Sequence, residues 1–249
     1  MTLAAFDITE DRILGGRLIL RQPATGYRVG IDPVFLAATA PERPGGRALD
    51  LGCGVGAGAL CLAHRQPTLR ILGLERQEAL AKLAQANVGL NHLADRIEII
   101  EGDLLRPPAA IALSAFDLVL ANPPFHRPGR ASAPRDSGRA QGHLEGEANL
   151  AAWIERCVAF AAPKGVLVMI HKPERLAEIL RLLEGRAGAI KIFPLWPGGN
   201  RPARRIVLRA TKGSSASLTL SAGMVLHEAD GRYTAAAEAV LRGGAALEV

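Results

Sequence analysis

The stretch ALDLGCGVGAGALCLA, residues 48–63, decides the fold. It begins as a short apolar run typical of a buried strand, continues through Gly52, Gly54 and Gly56, and ends in apolar residues with helical spacing. Glycine at these positions lets the backbone turn tightly and approach a ligand, and it leaves the first N–H groups of the following helix facing that ligand. The stretch therefore predicts a strand, a ligand-binding turn and a helix in immediate succession.

Further apolar runs repeat this rhythm along the chain. They are residues 70–75, 96–103, 116–124, 165–171, 189–196 and 204–210, with helical patterns between the early ones. Alternation of strands and helices predicts an α/β fold with a doubly wound, seven-stranded, mostly parallel sheet of the Rossmann-like type. Only PGGNRPA separates the last two runs, which is too short for a helical crossover, so we expect the last strand to be antiparallel.

Composition narrows the class of protein. Of the 249 residues, 49% are hydrophobic, which is enough for one large core, and a net charge of +6 gives a weak pull toward polyanions. The chain has no apolar run as long as a membrane span and no signal-peptide pattern at its amino terminus. Cys53, Cys61 and Cys157 lack metal-ligand spacing, so we expect no metal, no disulfide and a cytoplasmic location.

Acidic residues lie at the ends of successive predicted strands. Asp50 precedes the first glycine, Glu75 ends the second strand and Asp103 follows the third. Gly52, Gly54 and Ala57 satisfy the loose dinucleotide fingerprint, and Glu75 could accept hydrogen bonds from the ribose of NAD, so a dehydrogenase is one interpretation. Asp50 would repel a pyrophosphate, whereas it suits a cationic ligand.

With these acids, the glycine loop resembles the first motif, D-x-G-x-G-x-G, of class I S-adenosylmethionine-dependent methyltransferases. The resemblance implies S-adenosyl-L-methionine as the cofactor, with its methionine end held by Asp50 and the loop residues Gly52, Cys53, Gly54 and Gly56. It implies that Glu75 binds the ribose and Asp103 the adenine amino group, with a backbone contact from Leu104. Residues 46–249 are then the methyltransferase domain, and residues 1–45 are an extension packed on it within a single domain. This extension is predicted to hold a hairpin and a helix beginning near Asp32-Pro33, where Asp32 could cap the helix.

The fourth strand of the sheet ends in Asn122-Pro123-Pro124-Phe125. An amino group on an electron-poor ring is a poor nucleophile, because its lone pair is delocalised. The Asn122 side-chain oxygen and the Pro123 carbonyl could accept its two N–H bonds and localise that lone pair, while the prolines fix the backbone and Phe125 stacks on the ring. The tetrapeptide is similar to the NPP(Y/F) motif of amino methyltransferases, which implies these same catalytic roles and a place for Asn122 beside the cofactor.

The motif leaves three acceptors open: adenine N6, guanine N2 in rRNA and the side-chain amide of a protein glutamine. Residues 22–38 (QPATGYRVGIDPVFLAA), the glycine loop, NPPF and the carboxyl-terminal segment with VLHEADGRYTAAAEAVLRGG together resemble the bacterial tRNA adenine-N6 methyltransferases that modify a valine tRNA beside its anticodon. The resemblance implies a tRNA substrate and places Asp32 near the cofactor. Besides an RNA methyltransferase and a protein methyltransferase, the sequence leaves open a third class of function, an inactive protein of the same fold that binds RNA.

Basic residues flank the predicted acceptor pocket. Arg127, Arg130, Arg135 and Arg139 follow NPPF, while Arg204 and Arg205 begin the last strand. Arginines beside an acceptor pocket suit contacts with RNA phosphates, although a solvated loop would have the same composition. The sequence leaves open whether the protein is a monomer or a homodimer.

Overall fold

The computed structural model describes residues 7–26, 28–125 and 148–249. The strands are β1 Ile8–Ile13, β2 Leu18–Pro23, β3 Arg47–Leu51, β4 Arg70–Glu75, β5 Ile97–Glu101, β6 Phe116–Ala121, β7 Ala161–His171, β8 Ala187–Trp196, β9 Arg205–Lys212, β10 Thr219–Leu220 and β11 Met224–Val225. The helices are α1 Asp32–Thr39, α2 Ala57–Arg65, α3 Glu78–Leu90, α4 Leu150–Phe160, α5 Leu176–Leu183 and α6 Ala235–Leu241.

The predicted doubly wound sheet is confirmed. Its order over the described residues is β10-β8-β9-β7-β6-β3-β4-β5, and β11 also pairs with β8. The seven predicted strands are β3 to β9, and β9 is antiparallel to both β7 and β8, as expected from the short connection before it. The two additional strands, β10 and β11, contain two residues each, which is too short to give a pattern in the sequence.

The order of the strands creates a crevice beside β3. The chain passes from β3 to β4 and β5 on one side and then returns to β6 on the other side, where Leu51 of β3 pairs with Ala121 of β6. Gly52 and Asn122 therefore follow neighbouring strands at the same edge of the sheet. In open α/β sheets this edge, outside the carboxyl ends of the strands at such a switch point, is where ligands bind.

Alternate residues of the central strands pack into two cores, one on each face of the sheet. Ala48 and Leu118 pack with the residues of α1, α2 and α3, whereas Leu49 and Val119 pack with those of α4 and α5. This arrangement keeps the central strands buried on both faces, which explains their almost continuous apolar sequences.

Residues before β3 form an antiparallel hairpin of β1 and β2, followed by α1. Asp32 is the first residue of α1 and makes no capping hydrogen bond, so its predicted role as a helix cap is wrong. Its carboxylate instead binds an arginine of β9, as described below. The domain boundary between residues 45 and 46 stays a prediction. None of the helices described here is both long and apolar enough to cross a membrane.

Candidate active site

A cavity of about 770 Å³ lies at the carboxyl edge of the sheet. This volume is in the range of pockets that enclose a cofactor-sized molecule. Most of the residues predicted to bind cofactor or acceptor line it, namely Asp32, Asp50, Gly52, Cys53, Gly54, Glu75, Asp103, Leu104, Asn122, Pro123, Pro124, Phe125 and also Arg205. Gly56 is not among the lining residues; its φ of 84° serves the turn into α2.

Two buried carboxylates bind the backbone of the glycine loop. Asp50 is 4% exposed and accepts a hydrogen bond from the N–H of Ala59 at 2.9 Å. Glu75 accepts from the N–H groups of Gly54 and Gln77, each at 2.9 Å. The expectation that the first N–H groups of the following helix are free to face a ligand is therefore wrong for Ala59, because Asp50 of β3 already binds its N–H. Glu75 of β4 binds the N–H of Gly54 in the loop in the same way.

Burial raises the pKa of both acids. The pKa of Asp50 rises to about 7, mainly because the carboxylate loses its solvation and secondarily because Glu75 lies nearby. The pKa of Glu75 also rises, again mainly through burial. Two buried acids at one loop favour a cationic ligand, which would stabilise their charged forms. The site therefore fits the sulfonium and ammonium groups of S-adenosylmethionine, whereas a dinucleotide pyrophosphate would meet carboxylates.

Trp153 of α4 shapes the glycine loop from the other side. Gly52 has a φ of 71°, and a Cβ added to it would lie 2.3 Å from Cη2 of Trp153, so only glycine fits. The indole also lines the cavity, and its Nε1 is buried without a hydrogen-bond partner in the described part of the chain. The sequence did not identify Trp153 as a site residue, because its apolar spacing in α4 is that of an ordinary core position.

Asp103 lies at the end of β5, where the resemblance implies an adenine contact. Its Oδ1 accepts a hydrogen bond from the N–H of Leu105 at 2.9 Å, which fixes the carboxylate at the cavity wall. Leu104 beside it is 8% exposed. The pair thus offers one polar and one apolar group at the place expected for the adenine ring.

Asn122 presents an unusual buried acceptor. Its Oδ1 is buried and has no hydrogen-bond partner among the residues that the structure describes. Such an unpaired buried polar atom costs about 1–3 kcal/mol. The residue lines the cavity directly beside the loop that follows β3. An acceptor left unpaired at this cost is typical of a group that is satisfied only when a ligand is present.

Phe125, predicted to stack on the acceptor, is itself covered. The residue is 8% exposed, and the guanidinium carbon of Arg205 lies 4.5 Å from the centre of its ring. Nε of Arg205 binds the two carboxylate oxygens of Asp32 at 3.0 and 3.2 Å. Arg205, predicted to contact the RNA backbone, therefore belongs to the cavity wall. Arg204 is exposed, and Arg127, Arg130, Arg135 and Arg139 lie outside the described residues.

His171, to which the sequence assigned no role, packs against Phe125. The two ring centres are 5.2 Å apart and the rings meet at 74°. Burial lowers the pKa of His171 to about 4, so the imidazole is neutral near pH 7. Its Nδ1 accepts a hydrogen bond from the N–H of Lys172 at 2.8 Å, so the proton is on Nε2. That Nε2 has no partner in residues 7–26, 28–125 and 148–249.

Comparisons with known proteins identify the family of the chain. The model of the family described as Methyltransferase small domain matches residues 28–136. The tRNA1(Val) (adenine(37)-N6)-methyltransferase of Porphyromonas gingivalis is 31% identical over 232 residues, covering 88% of each chain. Its namesake from Aeromonas hydrophila is 28% identical, covering 83% of this chain and 85% of that one.

Solved structures show the same fold. The crystal structure of a predicted O-methyltransferase from Agrobacterium tumefaciens has a TM-score of 0.72 and 26% identity, and the match covers 87% of this chain and 98% of that chain. The tRNA (m1A58) methyltransferase from Aquifex aeolicus, with a TM-score of 0.56 and 12% identity over 78% of this chain and 73% of that chain, shares the fold alone. Fold, acidic loop and sequence relatives agree, and the chain belongs to the tRNA1(Val) (adenine(37)-N6)-methyltransferase family of S-adenosylmethionine-dependent methyltransferases.

Proposed function

We propose that this enzyme methylates the exocyclic N6 of an adenine in tRNA. The observation that carries the proposal is the unpaired Oδ1 of Asn122 beside the acidic glycine loop, in one cavity. The names of the relatives direct the proposal to adenosine 37 of tRNA1(Val). The net charge of +6 also suits a polyanionic substrate.

The residues of this chain supply binding, orientation and electrostatics. Asp50 and the residues from Gly52 to Gly54 hold the methionine end of the cofactor, with Glu75 at the ribose and Asp103 and Leu104 at the adenine. When bound, S-adenosylmethionine supplies an electrophilic methyl group on a sulfonium sulfur. The acids that surround it strengthen its binding through charge and provide no base for the reaction.

Acceptor activation is the task of Asn122 and Pro123. The Asn122 Oδ1 and the Pro123 carbonyl accept hydrogen bonds from the two N–H bonds of the adenine amino group. These bonds localise the nitrogen lone pair and favour a tetrahedral nitrogen. Pro124 restricts the conformation of Pro123, which keeps this carbonyl in place. The amino group becomes a better nucleophile, and the proton that it would lose once methylated would pass to water.

The first test compares three possible acceptors in one experiment. Labelled methyl transfer from S-adenosylmethionine should be measured into total tRNA, rRNA, protein extract and DNA in parallel, followed by nucleoside and amino-acid analysis. We expect N6-methyladenosine in the tRNA. Label in glutamine, or N2-methylguanosine in RNA, would assign a different acceptor to the same motif and overturn the proposal.

The Asn122→Ala variant tests the chemistry. Removing a preorganised acceptor of this kind should lower the rate by about 10²–10³-fold, because the amine loses the group that orients it. Binding of S-adenosylmethionine, measured by calorimetry, should change little and serves as the control for folding. Near-normal turnover by this variant would contradict the role given to Asn122.

A further inference from the structure

The aromatic ring expected to receive the acceptor base is not an open surface. Phe125 is 8% exposed, with the guanidinium of Arg205 over its ring at 4.5 Å and the ring of His171 against it at 5.2 Å. A planar base that enters the cavity beside Asn122 therefore meets Arg205 where an exposed phenyl face was expected.

Arg205 is held in this position by two elements that are distant in sequence. Asp32, at the start of α1, accepts hydrogen bonds from Nε at 3.0 and 3.2 Å, and the carbonyl of Arg204 accepts one from Nη1 at 2.9 Å. The Arg205 side chain is 28% exposed, Phe125 as a whole residue is 8% exposed, and both residues line the cavity. Arg205 is the more exposed of the two lining residues, so we expect an entering base to meet its guanidinium.

The chemistry of a guanidinium suits this position. It is flat and delocalised, and nucleic-acid bases stack on guanidinium planes as they do on aromatic rings. Phe125 supports one face of the group through a cation–π contact. Asp32 offsets its charge, so the cavity can hold this cation together with a cationic cofactor. A lysine in the same place would keep the charge and lose the plane.

We propose that the acceptor adenine stacks on the Arg205 guanidinium, which lies between the base and Phe125. Asp32 is a positioning residue that holds the guanidinium in the plane of the stack. The inference rests on the proposed function and adds the residue that recognises the face of the base. The inference also gives a reason for the contact between Asp32 of α1 and Arg205 of β9 at the cavity, because the stack requires both residues.

The test uses the full-length enzyme and an unmodified tRNA1(Val) transcript. Arg205→Lys should lower kcat/KM by about 5- to 100-fold, the range expected for loss of one stacking contact, mainly through a higher KM for the tRNA. Arg70→Lys is the matched control, because it makes the same chemical change at an exposed arginine at the opposite edge of the sheet and should leave kcat/KM nearly unchanged. Affinity for S-adenosylmethionine and the Tm should stay close to those of the wild type in both variants.

Asp32→Asn tests the positioning role. It should raise the KM for tRNA less than Arg205→Lys does, and the double variant should be no worse than Arg205→Lys alone, because Asp32 acts through Arg205. Additive effects of the two substitutions would overturn that role.

Two results would overturn the stack itself. One is an Arg205→Lys enzyme with wild-type KM. The other is an Arg205→Ala enzyme that is faster than wild type, which would show that the arginine competes with the base for Phe125. A wild-type enzyme that leaves adenine in the tRNA unmethylated would overturn the proposed function together with this inference, whereas the two results above, obtained with an active wild type, would overturn the inference alone.

Discussion

Asp50 is the residue in which burial and ligand charge are most directly linked. It is 4% exposed, accepts a hydrogen bond from Ala59 and lies close to Glu75. Its pKa of about 7 means that a large part of the free enzyme carries this carboxyl in its neutral form near neutral pH. A cationic ligand stabilises the carboxylate and lowers that pKa, so ligand binding and proton release are linked.

Cofactor affinity should therefore depend on pH. Below about pH 7 the free enzyme holds a proton on Asp50 that binding must expel, so the affinity for S-adenosylmethionine should rise with pH, by at most about tenfold per unit, and level off above about pH 7. Calorimetry at several pH values measures both the affinity and the released proton. Asp50→Asn should bind more weakly and with a flatter pH dependence. Equal slopes for the variant and the wild type would mean that another group titrates.

For single residues, the sequence predicted which side chains lie at the cavity better than it predicted which groups those side chains contact. Asp50, Glu75, Asp103 and Asn122 lie at the cavity because each lies at or just beyond the carboxyl end of a strand, and strand ends can be predicted from local sequence patterns. The partners of these residues could not be predicted. The site also contains Trp153, His171 and Arg205, which come from helices and strands that are distant in sequence. Whether an arginine contacts an RNA phosphate or packs on a phenyl ring depends on tertiary packing, which a local sequence pattern does not show.

Among the elements, α3 anchors the β1–β2 hairpin through side-chain amides, which its amphipathic pattern does not reveal. Asn87, which is fully buried, binds the N–H and the carbonyl of Arg21 in β2 at 2.7 and 2.8 Å and the carbonyl of Val55 at 2.9 Å. One turn later, Asn91 binds the N–H and the carbonyl of Ile19 at 2.9 and 2.7 Å. Each of the two side-chain amides thus binds one backbone N–H and one backbone carbonyl of β2, as the backbone of a neighbouring strand would. They join the hairpin to α3, and Asn87 also joins it to the glycine loop.

Substitution of Asn87 and of Asn91 should separate an effect on protein stability from an effect on cofactor affinity. Asn87→Ala leaves three backbone groups without their partner and should lower the free energy of unfolding by about 2–4 kcal/mol. It should also weaken S-adenosylmethionine binding, because Val55 lies within the glycine loop. Asn91→Ala, which does not touch that loop, should lower stability and leave cofactor affinity almost unchanged. Urea unfolding and calorimetry measure the two quantities, and equal loss of affinity in both variants would contradict the link to Val55.

Most helices and strands could be predicted, because their apolar residues recur at regular spacing and the connections between them are short. The parallel sheet and the antiparallel β9 followed from these two features alone. The start of α1 was misjudged in one respect. Asp-Pro is a common helix start, and nothing near it in sequence shows that the Asp32 carboxylate is used by Arg205 of β9 instead of by the helix backbone.

For the whole molecule, the direction of the strands determines which exposed basic residues lie at the edge of the sheet that holds the cavity. The β8–β9 connection lies at the carboxyl edge of the sheet, because β9 returns antiparallel to both β7 and β8. Arg201 and Arg204, both exposed, lie in this connection, which leads directly into Arg205 at the cavity wall. Arg70 and Lys164 are also exposed and lie near the opposite, amino-terminal edge, where β4 and the paired part of β7 begin. Under the proposed function, we expect the tRNA backbone to run over the first pair and away from the second.

Binding of tRNA should therefore depend on salt through the carboxyl edge of the sheet. Each phosphate contact releases counterions and contributes about −0.7 to −0.9 to the slope of log affinity against log salt. Arg201→Ala/Arg204→Ala should flatten this slope by roughly 1.4 to 1.8 and weaken binding of different tRNAs about equally, because phosphate contacts position the substrate without reading its bases. Arg70→Ala/Lys164→Ala removes the same charge from the opposite edge and should leave the slope as in the wild type. Binding of purified tRNA, measured from low to moderate salt, compares the two pairs. If both pairs flatten the slope equally, the effect is one of net charge, and the RNA does not follow the edge of the sheet that holds the cavity.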